Sequence, residues 1–408
     1  MRNHKPLLLV VADAAALTGF GRLASSLLCR FVDDFEVHHL GLGYRGPETR
    51  IPGWQLHPCA PQDGRPNLGL AELPGLMRRL RPALVLVIND LDAICSYAEI
   101  LRPWRGRTRF AAYFPVDSDP VEAAVLRPVL DFCQLPVTYT GYARAQVLDT
   151  LQRDRLDFDR DAIAVIPHGV DQQKFRPLHD GGERALADSR LEARRTLFPG
   201  HPELDDAFIF LNANRNQPRK RIDATIEGFA MFAERKPPEV RLYLHMGCQD
   251  SGWNLGVLAR RHGIEERLIL STTGPEMPAV SVQRLNLIYN ACDVGINTST
   301  AEGWGLCAFE HAATGHAQVV PGHTALRELW ENIGVCIPPS FVTTSEGRMT
   351  RAYHLSPCDI AEAFERLYAD DAHRDAVARR CFQHACDPRF SWDNIAADWR
   401  RRLQELLA

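Results

Sequence analysis

The sequence predicts an α/β protein with two doubly wound domains, each built on a parallel sheet. Three observations lead there. Short apolar runs alternate with helix-length stretches, the alternation implied by strand-helix-strand units. A polar, charged stretch from Lys174 to Arg195 interrupts the series, and a second one begins near Phe208. At 408 residues the chain is long for one core and comfortable for two.

Taken in order, Leu7 to Val11 reads as a first parallel strand. Basic residues before it imitate a signal peptide, but Asp13 ends the apolar run too early for that. A helix from about Phe20 to Phe31 follows, then strands at Val37 to Leu42, Leu84 to Ile88, Phe110 to Phe114, Val137 to Thr140 and Ala164 to Ile166. Phe208 opens the second series. Ser391 to Ala408 closes the chain as a helix, with Ile395, Trp399, Leu403 and Leu406 at helical spacing. No repeat or low-complexity tract is present. Doubly wound sheets place ligands at the carboxyl ends of their strands, so the turns after the strands carry the chemistry.

Composition narrows the class of function. A net charge of −4 gives no general attraction to nucleic acid or anionic membrane. The eleven cysteines are scattered without paired spacing, which implies reduced thiols in a cytoplasmic protein. No run approaches the ~20 apolar residues needed to cross a bilayer, so any membrane contact is peripheral. The loop Leu101 to Phe110 combines Trp104 with Arg102, Arg105, Arg107 and Arg109, which reads either as a solvated basic loop or as a contact for anionic lipid.

The most informative segment runs from Ser299 to Gly315. Glu302 and Glu310 stand with seven residues between them, around a small-residue turn that follows a buried strand and leads into an apolar helix. Gly303 and Gly305 let the backbone approach an anion closely, and the first N–H groups of the helix point at it. Gly315 is a natural helix stop. Glu310, one to two turns into the helix, is placed to accept hydrogen bonds from sugar or ribose hydroxyls.

A second segment, Phe208 to Phe232, is a strand, a basic turn and a helix that buries Ile222, Ile226 and Phe229. Arg215 and Lys220 flank the turn, five positions apart, and Pro218 bends the chain between them so that both cations can converge on one diphosphate. Arg219 and Arg221 read as solvated surface.

Together these segments resemble the retaining GT-B glycosyltransferases of the family-four type, over nearly the whole chain. In that family a Glu-x7-Glu element, matched by Glu302 and Glu310, grips a nucleotide sugar. Its arginine and lysine after the first strand of the C-terminal domain match Arg215 and Lys220. Its interdomain Asn-Gly-Val-Asp signature appears as His168, Gly169, Val170 and Asp171, with Phe175 following. Leu285 to Thr300 is similar to the lead-in to the first glutamate, Glu328 to a later acid, and Phe390, Ser391 and Trp392 to the opening of the last helix.

The resemblance implies two Rossmann-like domains facing a cleft: residues 1–172, completed by a helix at 388–408, and residues 173–387. It implies a nucleoside-diphosphate sugar as donor, with a UDP-sugar preferred and a GDP-sugar possible, and a hydroxyl-bearing acceptor. No separate cofactor and no metal are implied. Gly303, Trp304, Gly305 and Leu306 would line the donor, Thr273 would lie near its base, and Gly19, Phe20 and Gly21 would face its phosphates after the first strand. Hinges near Gly169 to Phe175 and before the last helix would let the domains close.

Where relatives carry a histidine beside the reacting sugar, this chain has Asp117 and Asp119. Asp117 is therefore the catalytic candidate there, as hydroxyl acceptor or general base, although either aspartate equally suits capping a turn before Pro120. A phosphorylase or epimerase, a non-catalytic nucleotide-sugar binder and a dehydrogenase are the competing readings. The last would use the Gly19-x-Gly21 turn, but Ala24 stands where the dinucleotide fingerprint needs its third glycine.

Overall fold

A computed structural model describes residues 5–14, 19–61 and 67–408. The chain divides into two units, Met1–Gly169 with Arg389–Ala408, and Val170–Pro388.

The first unit holds eight strands: β1 (Leu7–Asp13), β2 (Glu36–Leu42), β3 (Thr49–Ile51), β4 (Trp54–Cys59), β5 (Leu84–Ile88), β6 (Arg109–Phe114), β7 (Leu135–Thr138) and β8 (Ala164–Val165). Their order is β3-β4-β2-β1-β5-β6-β7-β8, parallel except for the β3–β4 edge hairpin. Strands β1 and β5 are apolar throughout their middles because helices cover both faces of a parallel sheet. The helix Gly19–Phe31 buries Leu23, Ala24, Leu27, Leu28 and Phe31, one stripe at helical period.

The last helix, Trp392–Leu407, belongs to this unit. Ser391 caps it by accepting from the Asn394 N–H, and it buries Trp392, Ile395, Ala396, Trp399 and Leu403. Trp399 meets Tyr113 edge-on at 5.0 Å, and Arg30 pairs with Asp393 at 2.7 Å. A Cβ on Gly169 would lie 2.7 Å from the Trp392 ring, so the glycine is sterically required.

The second unit has six parallel strands: β9 (Phe208–Asn212), β10 (Val240–Leu244), β11 (Leu268–Leu270), β12 (Val294–Ile296), β13 (Ala317–Pro321) and β14 (Val335–Ile337), ordered β11-β10-β9-β12-β13-β14. A separate antiparallel hairpin joins β15 (Phe341–Thr344) to β16 (Arg351–His354). The helix Ile222–Ala233 buries Ile222, Ile226 and Phe229 as its spacing predicts.

Two sequence expectations need correction, one at Thr140 and one at Gly19 to Gly21. The polar stretch from Lys174 to Arg195 that separates the two strand series carries a helix, Glu183–Leu197, packed on the helix Val282–Ala291. Thr140 is not in a strand but caps the helix Gly141–Arg153, accepting from the Ala143 N–H. Gly19, Phe20 and Gly21 do not form a turn but the first turn of a helix, and Thr18 lies outside the described residues. In the loop from Leu101 to Phe110, Arg102, Arg105, Arg107 and Arg109 are exposed while Trp104 packs against the core of the first unit. Among the described residues no helix is long and apolar enough to cross a bilayer.

Candidate functional site

The two glutamates and the basic turn lie in the second unit, at the carboxyl ends of its neighbouring strands β9 and β12. Each strand ends in a residue that folds the chain back on itself. After β9, the Asn212 side-chain oxygen accepts from the Asn214 N–H at 3.1 Å while its amide donates to Thr225 at 3.0 Å. After β12, Asn297 accepts from the Ser299 N–H at 2.8 Å. These are the Asx turns that asparagine forms readily. Thr225 and Thr298 are 2.8 Å apart, and the Thr298 hydroxyl lies 2.8 Å from the Lys220 carbonyl.

Pro218 starts a single 3₁₀ turn, Pro218–Lys220, which ends at Arg221 with a φ of +48°. This geometry turns Lys220 inward. Its ammonium, buried, donates to Glu302 Oε2 and so joins the two segments that the sequence singled out. Ser299 Oγ donates to the same oxygen at 3.1 Å, and Thr324 Oγ1 donates to the Glu302 carbonyl at 3.1 Å. Gly305, at a φ of +87°, starts the helix Leu306–Ala312, and a Cβ there would meet Leu326 at 2.8 Å. Both conformation and space demand glycine.

Burial alone would push the Glu302 carboxyl up, but Lys220, Arg219 and the hydrogen bonds hold it well below the usual carboxylate range. The Lys220 ammonium moves the other way from what its pairing favours: burial, helped by Arg219, lowers it against the pull of Glu302. The pair is therefore worth less than the Glu302 shift alone implies. A depressed carboxylate contributes stability that is complete above its unfolded pKa, about 4.3, and is lost as pH falls toward the folded value. Wild-type protein should accordingly lose stability below about pH 4.5 more steeply than Glu302→Gln, measured by urea unfolding across pH. Parallel slopes would contradict the ionised pair.

Arg219 is exposed, as the sequence suggests, but it is also held in the site. It donates to the Ala301 carbonyl at 2.9 Å, lies 3.8 Å from Glu302 Oε2, and its own carbonyl accepts from the Thr300 N–H at 2.8 Å. Arg221 likewise pairs with Asp223 at 2.9 Å and contacts His354 Nδ1. Ala301, Glu302 and His354 lie far off in the chain, which hid these contacts from the sequence, whereas the Arg221–Asp223 pair is local.

Arg215 stays half exposed and forks onto Asp250, with Nε to Oδ2 at 2.5 Å and Nη2 to Oδ1 at 3.2 Å. The Asn216 amide fixes the loop that carries Asp250 by donating to the Gly247 and Trp253 carbonyls at 3.1 and 2.8 Å. Asp250 is a site neighbour that no local pattern announced.

Glu310 is buried and accepts from the Tyr289 hydroxyl at 2.8 Å. Trp304 is also buried and stacks on Phe309 at 4.7 Å, which spends its ring on packing. Thr273 is exposed in the loop after β11, and the exposed Glu328 lies on the helix Thr324–Trp330. In the first unit, Asp117 is half-buried after β6, and Asp119 accepts from Tyr142 at 3.2 Å. His168 is buried, its Nδ1 2.9 Å from the Gly169 carbonyl, and burial lowers it to about 3, as suits a structural histidine. Among the described residues no three His, Cys, Asp or Glu side chains gather to hold a metal ion.

This fold, with this pair of strand ends, is that of a GT-B protein. The chain superposes on sucrose-phosphate synthase from Thermosynechococcus elongatus with a TM-score of 0.74 at 16% identity, covering 99% of each chain. It superposes on HepE of Anabaena in complex with UDP and glucose with a TM-score of 0.69 at 15% identity, covering 98% of this chain and 100% of that one. No protein-family profile matches it. It is 30% identical over 247 residues to a D-inositol 3-phosphate glycosyltransferase of Nocardia farcinica, 58% of this chain and 46% of that protein. It is 30% identical over 186 residues to a mannosylfructose-phosphate synthase of Agrobacterium fabrum, 44% of this chain and 36% of that protein. The chain thus spans about half or less of the length of these curated relatives. With the spacing of Glu302 and Glu310, its similarities are to glycosyltransferases, as the resemblance to the family-four type led one to expect.

Proposed function

We propose that the protein transfers a sugar from a nucleoside diphosphate to an acceptor hydroxyl with retention of anomeric configuration. The bond between Lys220 and Glu302 carries this reading, because it brings the cationic turn and the glutamate turn into one site. As the bond from the anomeric carbon to the β-phosphate oxygen breaks, charge builds on the diphosphate. Lys220, Arg215 and the N–H groups of Gly303 to Leu306 stabilise it where it develops. Glu302 holds donor-sugar hydroxyls and Glu310 the ribose. The acceptor oxygen bonds to the anomeric carbon, and its proton passes to the departing phosphate oxygen. No carboxylate nucleophile is needed, unlike in a retaining glycosidase.

The donor is a UDP-sugar in this reading, with GDP-sugars as the alternative. The names of the relatives direct the first acceptor assays to phosphorylated polyols and sugars. The two cations do the work of a divalent ion, so transfer should survive EDTA, and restoration by manganese after its loss would overturn that step.

The decisive experiment is a thermal-shift panel of UDP-, GDP- and ADP-sugars with NAD as control, followed by transfer assays using the best ligand. A ligand at a hundred times its Kd adds about 2.7 kcal/mol, so one nucleotide sugar should raise Tm by several degrees. A rise with NAD alone would favour a dehydrogenase. Tight nucleotide binding without transfer to any acceptor would favour a non-catalytic binder.

A further inference from the structure

Tyr289 lies on the helix Val282–Ala291, which precedes β12, 21 residues before the carboxylate it touches. Its hydroxyl donates to Glu310 Oε2 at 2.8 Å, and the residue is 1% exposed. The ring is held on two sides. Phe175 meets it edge-on at 5.7 Å, and the His311 ring stacks on it at 5.6 Å with 23° between planes.

His311 is itself fixed. The Gln318 amide donates to its Nδ1 at 3.1 Å, so the ring carries its proton on Nε2 and gives it to the Cys292 carbonyl at 3.4 Å. Burial lowers His311 to about 4, which keeps the ring neutral and this pattern unchanged near pH 7. Space for the ring depends on Gly295 in β12, where a Cβ would lie 2.5 Å from His311 Nδ1. The tyrosine is thus a rigid arm between a helix and the acid, with no freedom to leave it.

We infer that Tyr289 is a positioning residue that aims the Glu310 carboxylate at a vicinal diol and so sets a preference for ribonucleotide over deoxyribonucleotide donors. The inference rests on the proposed role of Glu310 at the ribose. An ionised carboxylate offers about four acceptor sites, so one bond from Tyr289 is compatible with two from a diol. Two hydroxyls on adjacent carbons present their hydrogens in a fixed relation, and only a carboxylate held in one plane receives both. Without this bond the carboxylate could turn out of that plane, and restoring it on binding would come at the expense of affinity.

The test compares binding of UDP and 2′-deoxy-UDP by titration calorimetry, with GDP and 2′-deoxy-GDP in parallel, to wild type, Tyr289→Phe, Glu310→Gln and the double variant. Wild type should bind the ribonucleotide about tenfold more tightly than its deoxy counterpart, the worth of one charge-assisted hydrogen bond. Tyr289→Phe should shrink that ratio to about twofold by weakening only the ribonucleotide, and should raise the donor KM with kcat nearly unchanged. In the Glu310→Gln background the same change should have no further effect on the ratio. Equal weakening of both nucleotides by Tyr289→Phe, or an unchanged ratio, would reduce Tyr289 to a packing residue and overturn the inference. A ratio that persists in Glu310→Gln, or is absent from wild type, would overturn the ribose role of Glu310 itself and the inference with it.

Discussion

Replacing Lys220 by alanine should cut sugar transfer by about 100- to 1,000-fold, the loss typical of removing one preorganised donor from a developing negative charge. The effect is large because Lys220 works in a nearly dry place. Burial lowers the ammonium against the pull of Glu302, and the bond to Glu302 holds it in place, so little has to reorganise when charge appears on the leaving group. Removing it also leaves the Glu302 carboxylate buried with Arg219 at 3.8 Å as its remaining cation, which destabilises the unit. Lys220→Met, which keeps the aliphatic stem, separates the two consequences. Both variants should retain native circular dichroism, and saturating nucleotide should not restore turnover. Near-normal release of nucleoside diphosphate in either variant would remove Lys220 from the mechanism.

What the sequence revealed and what it concealed follow one physical line. Strands β1, β5, β6 and β9 are short apolar runs, buried on both faces, and their local pattern suffices to find them. The turn at Glu302 was legible because glycines and small residues mark a strand-to-helix turn whatever lies around it. Inside the site, the Lys220 to Glu302 bond spans 82 residues, and only the resemblance pointed both at one ligand. Arg219, Arg221 and Asp250 were hidden because a charge on a polar stretch looks solvated until its partner is known. Trp304 sits in the donor turn by sequence, and its stacking on Phe309 could not be read from that turn. The polar stretch between the two strand series is the clearest case, since the charges of its helix Glu183–Leu197 that point inward meet an acid about a hundred residues later.

That acid, Asp293, should be the most damaging single substitution for stability. It precedes β12 and accepts from Arg194 at 2.7 Å, from Arg190 at 2.9 Å and from the Ile209 N–H at 2.7 Å, while its own N–H donates to the Ile209 carbonyl at 2.8 Å. Arg194 is 4% exposed and also donates to the Ala291 and Asp205 carbonyls at 2.9 Å each. One carboxylate therefore fastens a helix and the starts of β9 and β12, the two strands whose far ends carry Lys220 and Glu302. Burial would raise the Asp293 carboxyl, but Arg194, Arg190 and the Ile209 N–H hold it below its ordinary value, so this contribution is complete above about pH 4 and is lost on acidification. Asp293→Ala strands a buried guanidinium and should cost about 3–5 kcal/mol, lowering Tm by roughly 6–20 °C for a unit of this size. Asp293→Asn keeps a hydrogen-bond acceptor and should cost less. Since the damage lies at the strand starts, the protein that remains folded should keep most of its nucleotide affinity. Calorimetry at neutral pH decides the matter: a Tm for Asp293→Ala within about 2 °C of wild type, less than 1 kcal/mol on this scale, would show that the two arginines find other partners.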